Sequence, residues 1–510
     1  VGKGHGLKLS FTGGYNTRMG ATTVLTGASG YVGIGIVGVM IVGNANVVTD
    51  KDGRLINCFN VTTTDAVTGK KRIYCVKRPG YAANTTPQAG SIGNVITVWS
   101  GQGSGNKIIS AFGAADSSIY DRTTQLVTDA ADTTKITGKA TGITETQISN
   151  TPTLTISSSD STGWYYQPAG TVTKITDTDF PGNASRTLAG TFVHLNGFAC
   201  IMDTTGRIYA SDLNSVTAWT ANAYSDSNAY PDNGIGLIRR GQEILSFGTQ
   251  SIEFWKNQGL SPFPLVRLQE KTIKVGAISA DAIAQISDTI FFAGAAPEGG
   301  ISLFKYDGEV SRISTPEIDA ILLIAGASGI TLSTERYYGR SLVNVVAGST
   351  TYVYCVEEKD WHEKSSTTIL WHKTVAISVG ATLQSYAIST TGTGGKVYVI
   401  NPAAFVFTDD SVVYTARIQP PKDSGDGKRT FYNEFEIIGD RETSASTITL
   451  LSTDDDYQTY MTHGTMDLST ARPRMTRLGS GYARGWALSH SAATPFRLEY
   501  ATIRATQGTA

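Results

Sequence analysis

Charge is scarce in this chain. Of its 510 residues, 17% are Asp, Glu, Lys or Arg, and 42 basic against 43 acidic residues leave a net charge of −1. A balance so close to zero excludes a strongly basic nucleic-acid binder on bulk electrostatics. Leu-, Ala-, Glu- and Lys-rich stretches with helical spacing are almost absent, which argues against an α/β enzyme. Cysteine is limited to Cys58, Cys75, Cys200 and Cys355, with no C-x-x-C pair. They read as reduced, buried core residues of a protein made in a cytoplasm. Long apolar runs are missing too. No charge occurs between Arg18 and Asp50, but that stretch holds seven glycines, and its apolar core, Tyr31–Val42, is too short to span a bilayer. A basic n-region followed by an uninterrupted h-region is also lacking, so neither a membrane anchor nor a signal peptide is expected.

Catalytic signatures are equally sparse. No G-x-S-x-G and no G-x-x-x-x-G-K-[ST] occurs. His362 and His372 lack the H-E-x-x-H spacing of a zinc helix and read as exposed turn residues. Glu357, Glu358, Asp360 and Glu363 form the densest acidic cluster, and propeller glycosidases use paired carboxylates. With Lys359 and Lys364 beside them, these four read instead as a solvated blade tip. Asp50, Asp52 and Gly53, and likewise Asp454–Asp456, are too short for a calcium loop with its terminal Glu. "SDLNSVTAW" (211–219) is similar to the Asp-box of sialidases but lacks its glycine. The expectation is no catalytic residue, no cofactor, no metal and no enzymatic activity.

One stretch imitates a cofactor site. Gly27, Gly30 and Gly33 spell T-G-x-x-G-x-x-G, with Asp50 at nearly the distance of a ribose-binding acid. In a nicotinamide site, a helix whose N-terminus holds the pyrophosphate must follow. Here Ile34–Gly43 contains three glycines and six β-branched residues, which disfavour a helix. Tyr31, Gly33 and Gly35 alternate with Val32, Ile34 and Ile36, the period of a strand. The segment is expected to be a Gly-rich strand packed against another backbone.

What the chain does have is Gly, Thr, Ser and short apolar strands. "FVHLNGFACIMDTTGRIYASDLNSVTAW" (192–219) reads as strand, turn, strand, turn and strand, with turns at Asn196-Gly197 and Thr205-Gly206. Similar units begin near residues 94, 237, 286, 336 and 384. Their spacing of about 45–55 residues is that of propeller blades. Five or six units are visible, which predicts an all-β protein with a six-bladed propeller-like body; a pair of β-sandwiches is the alternative. The expected domains are a Gly-rich N-terminal β segment (1–55), a propeller-like body (56–410) with inserted hairpins near 122–185, and a C-terminal β-domain or ring closure (411–510).

Across 176–320 the order of motifs resembles the tail nozzle, or packaged-DNA-stabilisation, proteins of short-tailed bacteriophages. The stretches that carry the resemblance are "ITDTDFPG" (175–182), "LNGFACIMDTTGRIYASDLNSVTAW" (195–219), "AYPDNGIGLIRRGQEILSFGTQSIEFWKNQGLSPFPLVRLQ" (229–269) and "SDTIFFAG…GGISLFKYDGEVSRISTPEID" (287–319). Upstream, "GRLINCFN" (53–60) and "KRIYCVKRPG" (71–80) are similar to the family's opening. The resemblance implies a virion tail protein made in the host bacterial cytoplasm and assembled as a ring, six copies being expected. Its implied partners are a head-to-tail adaptor, fibres or spikes, and a plug. The ring would retain packaged DNA and conduct it at ejection, touching duplex DNA transiently and without sequence preference. Basic runs are few: Lys70-Lys71-Arg72, Lys77-Arg78 and Arg239-Arg240. They are the candidate DNA or subunit contacts, and a conduit with so few clustered cations should bind duplex weakly. A propeller carbohydrate-binding protein or glycosidase is the competing class.

Overall fold

The computed structural model describes residues 30–34, 54–64, 69, 71–99, 107–126, 135–295, 299–366, 371–379, 382–389, 394–420, 428–455 and 457–508. The chain divides into two compact units, both discontinuous in sequence. One comprises 83–349 and 369–404, the other 1–82, 350–368 and 405–510. Chain order therefore does not follow the expected boundaries at 55 and 410. Residues 54–82 and 350–368 belong with the C-terminal residues, because strands from all three regions pair in one sheet.

The first unit is a β-propeller. Among the described residues it has seven blades rather than six. Their inner strands are Gly93–Trp99, Ala140–Ile148, Leu188–Leu195, Gly234–Arg240, Ile283–Ile286, Ile330–Tyr337 and Trp371–Val379. Blades one to five are antiparallel four-stranded sheets formed from consecutive strands. Within this unit, blade six contributes the hairpin Ile330–Tyr337/Arg340–Ala347. In blade seven, three consecutive strands are completed by Ala82–Thr85, from far upstream in sequence. The extra blade comes from residues 140–174, expected as an inserted hairpin but folded as a full four-stranded sheet.

Apolar faces of neighbouring blades close the ring. Val95, Trp99 and Ile109 of blade one pack with Leu154, Ile156 and Trp164 of blade two. Its other face, with Ile96, Ile108 and Phe112, packs with Tyr386, Ile388 and Val397 of blade seven. Turn chemistry fits the strands it joins. Asn196 and Gly197 have φ of 50° and 87°, both positive as a two-residue type I′ hairpin requires, and Leu195 pairs with Phe198 across them. Blades three and four approach through Gly190 and Gly236, where a Cβ on Gly190 would lie 2.9 Å from the Gly236 Cα.

The second unit is a β-sandwich. One sheet runs Cys58–Thr64, Lys71–Lys77, Arg497–Gln507, Thr430–Gly439, Arg474–Thr476, and Gly30–Ile34 also pairs with Arg497–Gln507. The other contains Thr350–Cys355, Asp360–Lys364, Arg54–Ile56, Ala416–Gln419, Gly485–His490, Thr447–Thr453 and Met461–Asp467, in that order. Alternate residues of the two sheets, including Cys75, Phe435, Ile503, Ile418, Leu450 and Trp486, form the core between them.

Candidate functional site

The imitation cofactor motif falls in the sandwich. Gly30–Ile34 is a strand, with Gly30 opposite Ala505 and Ile34 opposite Ala501, so the last two glycines of the motif lie in extended backbone. Gly27, Asp50, Asp52 and Gly53 lie outside the described residues.

The candidate cations are scattered. Lys70 lies outside the described residues. Lys71 and Arg72 are exposed on the sandwich, Arg72 lying 3.7 Å from Glu499. Arg239 and Arg240 sit at the end of the inner strand of blade four. Arg239 donates to the His194 and Gly241 carbonyls, and Arg240 donates to the Asp288 carbonyl and covers the Tyr306 ring.

Lys77 and Arg78 are a correction: both are buried, so neither can grip a phosphate or a neighbouring subunit in this fold. Arg78 makes a two-point ion pair with Asp409 at 2.5 and 3.0 Å. It also donates to Asn57 Oδ1 at 2.7 Å and the Ser365 carbonyl at 3.2 Å, joining three segments distant in sequence. Lys77 Nζ donates to the Ala492 carbonyl at 2.6 Å, lies 3.3 Å from His490 Nδ1 and faces the Tyr414 ring. Burial and neighbouring Arg78 bring its pKa down to about 7.

The acidic cluster is a second correction. It is not a solvated blade tip but fastens one part of the sandwich to another. Glu363, nearly buried, holds Arg54 through two bonds of 2.6 and 2.5 Å. Glu358 accepts from the Thr62 amide and hydroxyl, and Asp360 from Asn60 Nδ2. Glu357 is exposed, near the Cys355 thiol. His362 is no exposed turn residue either. It lies in the strand Asp360–Lys364, stacked on Phe59 at 5.2 Å, with both ring nitrogens buried and without a hydrogen-bond partner. Burial, then Lys364 and Arg78, push its pKa down to about 3. The side chain of His372 is outside the described residues.

Sequence reading missed one pairing that looks catalytic. Ser446 Oγ lies 2.9 Å from His490 Nε2, the separation of a nucleophile and its base. Both residues are fully buried, and His490 Nδ1 faces the Lys77 amine, where a serine hydrolase has a carboxylate. Burial and Lys77 bring the His490 pKa down to about 3, the reverse of what a general base needs at neutral pH. The pair is a structural hydrogen bond. An apolar cavity of about 10 Å³ between Ile418, Phe435, Trp486 and Ala501 has room for about one water-sized sphere and is a packing void. Among the described residues no three His, Cys, Asp or Glu side chains converge as a metal site. No described helix is long and apolar enough to cross a membrane.

With ionisable groups absorbed into structure, the propeller itself is the informative feature. The family model described as Phage_stabilise, "Bacteriophage P22 Gp10, beta-propeller", matches residues 120–367. That stretch is similar to this phage-stabilisation family. The matched residues run from the third strand of blade one past the blade-six hairpin, and so include the blade expected from sequence to be an insertion. No curated protein matches the chain. Among solved structures, a computationally designed protein, Ika8, is 10% identical with a TM-score of 0.38, over 62% of this chain and 99% of its own. An ancestral GH74 enzyme is 8% identical with a TM-score of 0.43, over 68% and 57%. Scores this low bear on neither fold nor function.

Proposed function

We propose that the chain is a structural virion protein of the lower tail tube, the nozzle, of a short-tailed phage. Copies assemble as a ring, six being expected, that retains packaged DNA and conducts it outward at ejection. A head-to-tail adaptor lies above the ring, with fibre or spike and plug proteins around it. The observation that carries this reading is the phage-family match, which coincides with most of a closed, rigid propeller.

A structural rather than catalytic role is supported by the use made of the polar groups. Glu358 and Glu363 hold Thr62 and Arg54, and the Ser446–His490 pair is sealed in a core. Electron microscopy of the purified chain, alone and mixed with the adaptor, tests the proposal. Rings with an axial opening that dock on the adaptor are expected. A persistent monomer, or turnover of a glycan that is abolished in Glu358→Gln/Glu363→Gln, would favour the glycosidase class instead.

A further inference from the structure

The sandwich gathers cations that the sequence keeps apart. On the sheet that contains Arg497–Gln507, Phe435, Ile437, Ile503 and Cys75 point into the core, with Met475 packed against it. Their alternate neighbours therefore lie on the outer face. There Arg72 meets Glu499 at 3.7 Å, Arg504 meets Glu434 at 3.6 Å, and Arg472 forks onto Glu436 at 2.7 and 2.9 Å. Arg497 lies over the Tyr74 ring at 3.7 Å and meets Asp440 at 3.3 Å. Arg474 has no hydrogen-bond or ion-pair partner among the described residues, yet with Arg472 and Arg504 it helps hold the Glu436 carboxyl below its usual range.

In three of the pairs the two signs occupy different heights. The side chains of Arg72, Arg472 and Arg504 are 50%, 62% and 49% exposed, against 26%, 14% and 15% for their partners Glu499, Glu436 and Glu434. In these three pairs the carboxylates lie beneath the guanidinium groups, whereas Arg497 and Asp440 are 40% and 55% exposed.

We infer that this arginine-covered outer face is a contact surface for the phosphate backbone of duplex DNA. This rests on the proposed tail function and locates the contact on the chain. From Arg72 to Arg474 the patch crosses three strand spacings, about 14 Å, and from Arg497 to Arg504 it runs about 23 Å along a strand. A duplex lying along that direction presents about 13 phosphate charges over 23 Å. The outward N–H groups of these guanidinium groups, and the Arg474 guanidinium, suit phosphate oxygens and, held on a sheet, bind them without reading sequence. A few such ion pairs give weak, salt-sensitive affinity, which suits DNA that must be held and then released.

The test compares the wild-type assembly with Arg472→Gln/Arg474→Gln and with the quadruple variant that adds Arg497→Gln and Arg504→Gln. A 30-base-pair duplex and poly-glutamate are titrated against each over a range of salt. Wild type is expected to bind duplex with no sequence preference. The log–log salt slope should become shallower by about 0.9 for each phosphate that is no longer neutralised, about 2 to 4 for the quadruple variant, with melting temperature and oligomer unchanged. Unchanged duplex binding in both variants would overturn the inference while leaving the tail function standing. Abolished poly-glutamate binding alone would assign the face to an acidic protein, and disruption of the oligomer alone would assign it to a subunit interface; either overturns the DNA assignment. Absence of rings in the wild type would count against the tail function itself.

Discussion

Asp409→Ala is expected to be among the most damaging single changes in the sandwich. Asp409 and Arg78 are each about 1% exposed, and Asp409 accepts from both ends of the Arg78 fork and from the Tyr81 amide. Removing the carboxylate leaves a buried guanidinium without its counter-charge, which costs about 3–5 kcal/mol in comparable buried pairs. Hydrogen exchange suits the measurement, because a chain of two units does not unfold in one step and a global midpoint would blend them. Amides of Lys71–Lys77 and Ala416–Gln419 should exchange about 10²–10⁴ faster, while propeller strands such as Glu243–Gly248 keep their protection. Replacing both partners, as Arg78→Met/Asp409→Leu, should cost less than Asp409→Ala alone. A change below tenfold in Asp409→Ala, or a double variant as unstable as the single, would refute the argument that the charge pair governs this core.

Four further outcomes are expected. His194 in the propeller is buried with its pKa brought down to about 4 by burial and then by Arg239. The unfolded chain therefore takes up the proton first, and about 3 kcal/mol of stability should be lost as pH falls from 6.5 to 4; acid unfolding of the propeller with the same pH dependence in His194→Gln would contradict this. For Lys77, held at about 7, the unfolded state binds the extra proton between pH 7 and 10.5. Its contribution to sandwich stability should thus rise by about 4–5 kcal/mol across that window, and Lys77→Met should flatten the rise seen by hydrogen exchange. Glu363→Gln should loosen the strand Arg54–Ile56 by about 2–3 kcal/mol, since it breaks a nearly buried fork on Arg54, whereas Glu358→Gln on a half-buried site should cost less than 1 kcal/mol. NAD(H) should give no thermal shift, because the last two glycines of its apparent motif lie within a strand; micromolar binding abolished by Gly30→Ala would overturn that.

The elements that were legible in sequence are those whose side chains advertise their surroundings. Asn196-Gly197 between two apolar strands could be little else but a hairpin, and the β-branched run after Gly33 argued against a helix. Blade two was hidden by its own chemistry. Its strands bury Thr153, Thr155 and Ser157; Thr155 pairs its hydroxyl with that of Thr144 at 2.9 Å, Ser157 with that of Thr141 at 3.0 Å, and Thr153 accepts from Gln167. Buried hydroxyl pairs erase the apolar alternation on which strand reading depends. Charge misled in the opposite direction. Lys77-Arg78 looks like a surface pair, yet its fate is decided by Asp409, 331 residues away in sequence. The arginine face had no local signal either, since its members come from strands separated by several hundred residues and meet only when the sheet forms.

The central claim is the proposal that this propeller, much of which matches a phage-family model, serves in the tail tube. Cryo-electron microscopy of intact virions that carry this chain tests it most directly. The expected map shows copies of the chain in a ring below the head-to-tail adaptor, each with a seven-bladed body and with the Arg472–Arg504 sheet face turned toward the DNA path. A tail with no density for the chain, or a body that is not a propeller, would contradict it.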